Sequence, residues 1–157
     1  MANEEYSRVL TKDNEGFFRF IESTMDRCGI TTEQLTYGLC DTEEWDSLLA
    51  GEYLDKLIPR SLSCEWDNDG LMCCVDPDRE VDRVLIALDV TDKTVSAAIE
   101  GEYDLIISHH PLIFRPLRSI TPYDISSDKI ITLVQNGISV MSFHTRLDAV
   151  NGGVNDE

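Results

Sequence analysis

Positive charge is scarce in this 157-residue chain: thirteen Lys and Arg face thirty Asp and Glu, for a formal charge of −17. A surface this acidic repels phosphate backbones and anionic lipid, which argues against nucleic acid or a membrane as partner. No apolar run approaches the roughly 18–20 residues needed to span a bilayer, and MANEEYSRVL has neither the basic stretch nor the apolar core of a secretory signal. The five cysteines, Cys28, Cys40, Cys64, Cys73 and Cys74, are odd in number and form no C-x-x-C pair. That argues against a disulfide framework and a zinc ribbon, and leaves buried thiols packing as small apolar groups. There is no P-loop, internal repeat or low-complexity tract. At 42% hydrophobic the chain is too apolar to be wholly disordered. A cytoplasmic globular protein is expected, with one domain or one domain and a small appendage.

Residues 1–54 read as a small helical segment. Phe17, Phe18, Ile21 and Met25 fall at helical spacing, and Gly29 stands where a helix would end. Thr31 and Gln34 have the spacing of a capping box, and a third short helix is expected near TEEWDSLLAG. The stretch GITTEQLTYGL resembles the opening of a helix-turn-helix unit. Residues 1–56 hold 13 acidic and 5 basic residues, however, and Asp41, Glu43, Glu44 and Asp46 fall on the would-be recognition helix. Reading DNA needs donors and positive charge there, so a packing or partner-binding role is expected instead.

From residue 55 to 157 the pattern becomes α/β. VDRVLIALDV, YDLIISHH and ISVMSFHT suit buried strands, and TDKTVSAAIEG and SSDKIITLVQNG suit helices between them. Thr91 is the expected cap of the first helix and Ser126 or Ser127 of the second; Gly101 and Gly137 close them. Strand, helix, strand, helix, strand with short connections predicts a three-layer lobe: a parallel or mixed sheet flanked by helices on both faces.

The three histidines, His109, His110 and His144, all fall at carboxyl ends of predicted strands, with Asp89 at the same end of another. Catalytic groups and ligands gather at that rim of an open α/β sheet. A lone strand-end histidine is commonly only a hydrogen-bonded structural residue; three on one rim point to metal. On a regular strand, His109 and His110 would face opposite ways. They could then hold two ions on either side of the backbone, or one could ligate while the other serves another role. His144 and Asp148 are four apart, one helical turn, so both reach the same side if the chain turns helically there. Imidazole and carboxylate together suit Zn, Fe or Mn. A plain capping role is the alternative for Asp148. The glycines at 152 and 153 suit backbone lying close to another group.

CEWDNDGLM (64–72), LIALDVTDKTVSAAI (85–99), DLIISHHPLIFRPLRSI (104–120) and NGISVMSFHTRLDAVNGGVND (136–156) resemble the NGG-interacting-factor-like family. Its YbgI-like bacterial members are commonly labelled GTP cyclohydrolase type 1, type 2 homologue. The resemblance implies a dinuclear centre of divalent ions, two per site, with His109, His110 and His144 as ligands and Asp148 as bridging carboxylate. It implies hydrolysis of GTP or a related nucleotide or heterocycle by metal-activated water, and homo-oligomeric assembly. Arg115 and Arg118, just after SHHP, are the candidate phosphate contacts; solvated loop arginines are the alternative. The family pattern also includes a later His and Glu with three residues between them, which this chain lacks. Residues 55–157 are therefore expected to be a first lobe only, and residues 1–54 depart from the family. Four ligand side chains under-coordinate two ions, which leaves positions for water, substrate or a partner chain. A non-catalytic metal-binding interaction or regulatory protein is the alternative function.

Overall fold

A computed structural model describes residues 54–79, 81–151 and 153–156. Apart from Leu54, which lies in a helical turn with residues 55–57, the helices expected in residues 1–54 lie outside the described residues. The elements that follow are β1 (Gly70–Cys73), β2 (Val84–Ala87), α1 (Asp92–Glu100), β3 (Leu105–Ser108), α2 (Ile125–Gln135), β4 (Ser139–Ser142) and α3 (Thr145–Ala149), with 3₁₀ turns at Arg60–Leu62 and Val154–Asp156. The sheet order is β1-β4-β3-β2. β2, β3 and β4 are mutually parallel, whereas β1 runs antiparallel to β4 along one edge. The sheet is therefore mixed. GLMC is too short to show a clear alternation, and a register shift between Leu71 and Cys73 interrupts its pairing, so no sequence period marks it.

The expected helices form with one changed cap. Thr91 caps α1 by accepting from the Thr94 amide at 3.1 Å, and Gly101 follows its end. α2 begins earlier than its serines suggest: Asp124 is the cap, and Ser127 donates to it from both its amide and its hydroxyl. A carboxylate accepts both bonds at once and complements the positive helix end, so it displaces the serines from that role. Gly137, at φ +72°, then takes the left-handed turn into β4.

The strands present alternate residues to two cores. Leu85, Ile106 and Val140 meet Val95 and Ala98 of α1 and Ile130 and Leu133 of α2. Val84, Leu105, Ile107 and Met141 point the other way, to Leu54, Ile58, Phe143 and Leu147. Three layers result, and the near-continuous apolar runs of β3 and β4 follow from burial on both faces. The second layer is locked by Arg146, which is 0% exposed. Its guanidinium pairs with Asp55 and Asp69, donates to the Ile58 carbonyl at 3.0 Å and stacks on Phe143.

The cysteines divide. Cys73 is buried, and burial raises its thiol pKa, with Cys74 adding to the effect. Cys64 is exposed, contrary to the expectation of uniformly buried thiols, because it lies in the loop before β1. Cys28 and Cys40 lie outside the described residues.

Candidate metal centre

β3 and β4 end side by side, Ser108 opposite Ser142, with their hydroxyls 2.9 Å apart. The next residues out are therefore neighbours across the rim. Phe143 donates its amide to the Ser108 carbonyl, while the β2–β3 ladder continues through the amides of His109 and His110 onto the carbonyls of Ala87 and Leu88. All three imidazoles meet there. Ring centroids lie 4.9 Å apart for His109 and His110, 5.3 Å for His109 and His144, and 5.6 Å for His110 and His144. Within this cluster one ring nitrogen from each lies within 4.8 Å of the others, a donor set that could hold a metal ion.

This corrects the expectation that His109 and His110 diverge to opposite faces. Both residues lie past the last strand residue, Ser108, so the alternation of a regular strand no longer directs them. Ser108 also turns its hydroxyl onto the His110 carbonyl at 2.9 Å, and Pro111 follows.

Each ring is oriented through Nδ1. His109 Nδ1 lies 3.0 Å from the Phe143 carbonyl, His110 Nδ1 lies 2.8 Å from Asp89 Oδ1, and His144 Nδ1 lies 2.8 Å from Asp67 Oδ1. A carbonyl or an ionised carboxylate only accepts, so the proton sits on Nδ1 and Nε2 carries the lone pair. This is the arrangement that presents imidazole nitrogen to a metal. Asp67 has no side-chain exposure; burial works to raise its pKa, but hydrogen bonds from His144 and Thr145 outweigh it and hold the carboxyl below its usual range. His109 is 7% exposed, and burial, against the pull of Asp148 and with help from the other imidazoles, keeps the ring neutral to lower pH than usual. Neutral imidazole is the ligating form.

His144 stands at the start of α3, and the Asp148 amide donates to its carbonyl at 3.3 Å. The helical turn expected after β4 is thus present. Asp148 Oδ1 lies 3.6 Å from His109 Nε2, beside the cluster. Gly153 closes the segment: a Cβ there would come within 2.2 Å of the Leu147 carbonyl oxygen.

The loop before β1 completes the site. Asp67 also accepts from the Thr145 amide at 3.0 Å and from its hydroxyl, and Thr145 Oγ1 accepts from the Cys64 amide. The loop carrying Cys64 therefore docks beside the cluster. Asp67 is the functional residue that sequence spacing missed. It lies 77 residues from His144, and only the CEWDN motif singled out its neighbourhood. Beyond His110 opens a cleft of about 530 Å³ lined by Asp89, Phe114, Arg115 and Lys129 among others; Arg115 borders it and Arg118 does not.

Fold and cluster together define an α/β protein whose strand-end imidazoles fit metal binding. Residues 50–157 match the model of the Duf34/NIF3 (NGG1p interacting factor 3) family, and the chain belongs to that family. A GTP cyclohydrolase 1 type 2 homolog of Clostridium perfringens is 39% identical over 103 residues, 66% of this chain and 39% of that protein. NIF3-like protein 1 of Drosophila melanogaster is 37% identical over 66% of this chain and 35% of its own length. The crystal structure of a Bacillus cereus protein related to NIF3 superposes with a TM-score of 0.68 at 35% identity, covering 73% of this chain and 32% of that one. The chain thus spans less than two fifths of the length of these relatives. Among the described residues no helix is long and apolar enough to cross a membrane.

Proposed function

We propose that the lobe holds two divalent ions, Zn, Fe or Mn, through His109, His110, His144 and Asp148, and hydrolyses a small heterocycle of the GTP class. The observation that carries this is the convergence of three imidazoles, one ring nitrogen from each within 4.8 Å of the others and each ring oriented through Nδ1 by an oxygen acceptor. Asp148, beside His109, is the carboxylate able to bridge the ions. Metal at this position supplies Lewis acidity and a water activated for attack at neutral pH. The chain's own groups do the rest. Asp67 and Asp89 keep Nδ1 protonated on their partners, and Phe143 does the same for the buried His109. The cleft beyond His110 accommodates the body of a nucleotide, with Arg115 at its wall as an anion contact. The name that bacterial relatives carry, GTP cyclohydrolase 1 type 2 homolog, agrees with this substrate class. Cytoplasmic location and homo-oligomeric assembly are part of the same proposal.

Elemental analysis of wild type against a His109→Ala/His110→Ala variant tests the metal; equal content in both overturns the assignment. Incubation with GTP followed by mass analysis tests the chemistry, with a product heavier by one water expected and lost in His110→Ala. The family description, an interacting factor, favours one other function: a metal-stabilised binding protein without turnover. Metal present with no product from any purine nucleotide would select it.

A further inference from the structure

We propose that Trp66 and Phe114 are the binding walls for a planar heteroaromatic group presented to the imidazole cluster. The inference rests on the metal-site function above and specifies the part of the ligand that the site grips. Trp66 is 64% exposed and Phe114 45% exposed, and neither belongs to either core. A large aromatic side chain left in water forgoes burial, so two of them at one metal-site rim call for an occupant. Their geometry suits a flat one. The Trp66 and Phe114 rings are 6.2 Å apart at 76°, and each stands edge-on to His144, at 6.3 Å and 78° and at 6.2 Å and 90°. Three nearly perpendicular rings form a corner. A planar group stacked on the face of one wall meets the edge of the other, the pairing that aromatic quadrupoles favour. His144 is one ring's width away, so the rim of a stacked bicycle would lie beside the imidazole cluster.

The corner is built before any ligand arrives. Trp66 sits in the loop before β1 and Phe114 in the loop after β3, and Asn68 Nδ2 donates to the Ile113 carbonyl to tie those loops together. Trp66 also adjoins Asp67, which is fixed to His144 and Thr145. Phe114 is shared with the cleft that contains Arg115 and Lys129, so the polar remainder of a ligand has a continuous path from the ring site.

The test uses the full chain loaded with zinc. The protein has two tryptophans, Trp45 and Trp66, so a Trp45→Phe background makes Trp66 the only indole reporter. Guanosine and GTP are expected to quench its emission, while ribose 5-phosphate and tripolyphosphate leave it unchanged. In calorimetry, Trp66→Leu and Phe114→Leu should each weaken guanosine binding about tenfold, and Trp66→Phe should retain most of it. Zinc content should stay at the wild-type level in all three, since none of them removes a ligating atom. Unaltered guanosine affinity in both leucine variants overturns the proposal. So does quenching by tripolyphosphate equal to that by guanosine, or a change in sedimentation without a change in guanosine affinity. Failure of the metal assignment is seen separately, as wild-type zinc no higher than in His109→Ala/His110→Ala.

Discussion

Orientation at the residue scale is set by oxygens that only accept. Asp67 shows this most directly, because its two carboxylate oxygens serve His144 on one side and the Thr145 amide and hydroxyl on the other. Replacing it by Asn keeps the size but removes the charge that fixes the imidazole proton. Asp67→Asn is expected to weaken zinc about 10- to 100-fold in competition with a chromophoric chelator; unchanged affinity would show that His144 needs no such partner. A second carboxylate governs acid stability. Burial opposes ionisation of Asp55, but hydrogen bonds from Arg146 and from Arg60, the latter at 2.8 Å, prevail and lower its pKa. A carboxyl depressed in the folded state stabilises it fully above the unfolded value, about 3.9, and loses that contribution as pH falls through the folded value. Urea midpoints of wild type should therefore exceed those of Asp55→Asn at pH 5 and 7, and the gap should close as pH falls below about 4. A gap independent of pH would assign the effect to packing rather than charge.

Short elements make the caps matter. α1 has nine residues and α2 eleven, and each is closed at its N-terminus by one side chain. Thr91→Ala should destabilise the protein by about 1 kcal/mol in urea denaturation. Asp124→Ala should lower the thermal midpoint more than Ser126→Ala, because Asp124 accepts both bonds from Ser127. The reverse order would restore the serine as cap. Strand ends matter in the same way. His109 stands one position beyond β3 and His144 two beyond β4, where ladder bonds hold the backbone but the pleat no longer aims the side chains.

For the whole molecule, a metal held at this cluster would be linked to the fold through mass action. The three imidazoles come from two loops that converge only when β3 and β4 pair. An ion bound there favours the folded chain by about 2.7 kcal/mol at a hundred times its dissociation constant. Zinc should thus raise the thermal midpoint by several degrees, a chelator should reverse the rise, and His109→Ala/His110→Ala should show neither. A midpoint insensitive to zinc in wild type would count against the centre.

Much of this was legible in one dimension. Three apolar runs, two amphipathic helices with Gly101 and Gly137 behind them, and histidines at the ends of two runs determined a covered α/β sheet with a chemical rim. Local periodicity and terminator residues act within a few positions, so the chain records them directly. β1, the Asp67–His144 pair, the meeting of His109 with His110 and the Trp66–Phe114 corner were decided by tertiary structure alone. β1 has no period long enough to read. The others depend on which strands pair and how backbones leave a sheet edge, and those relations join residues tens of positions apart.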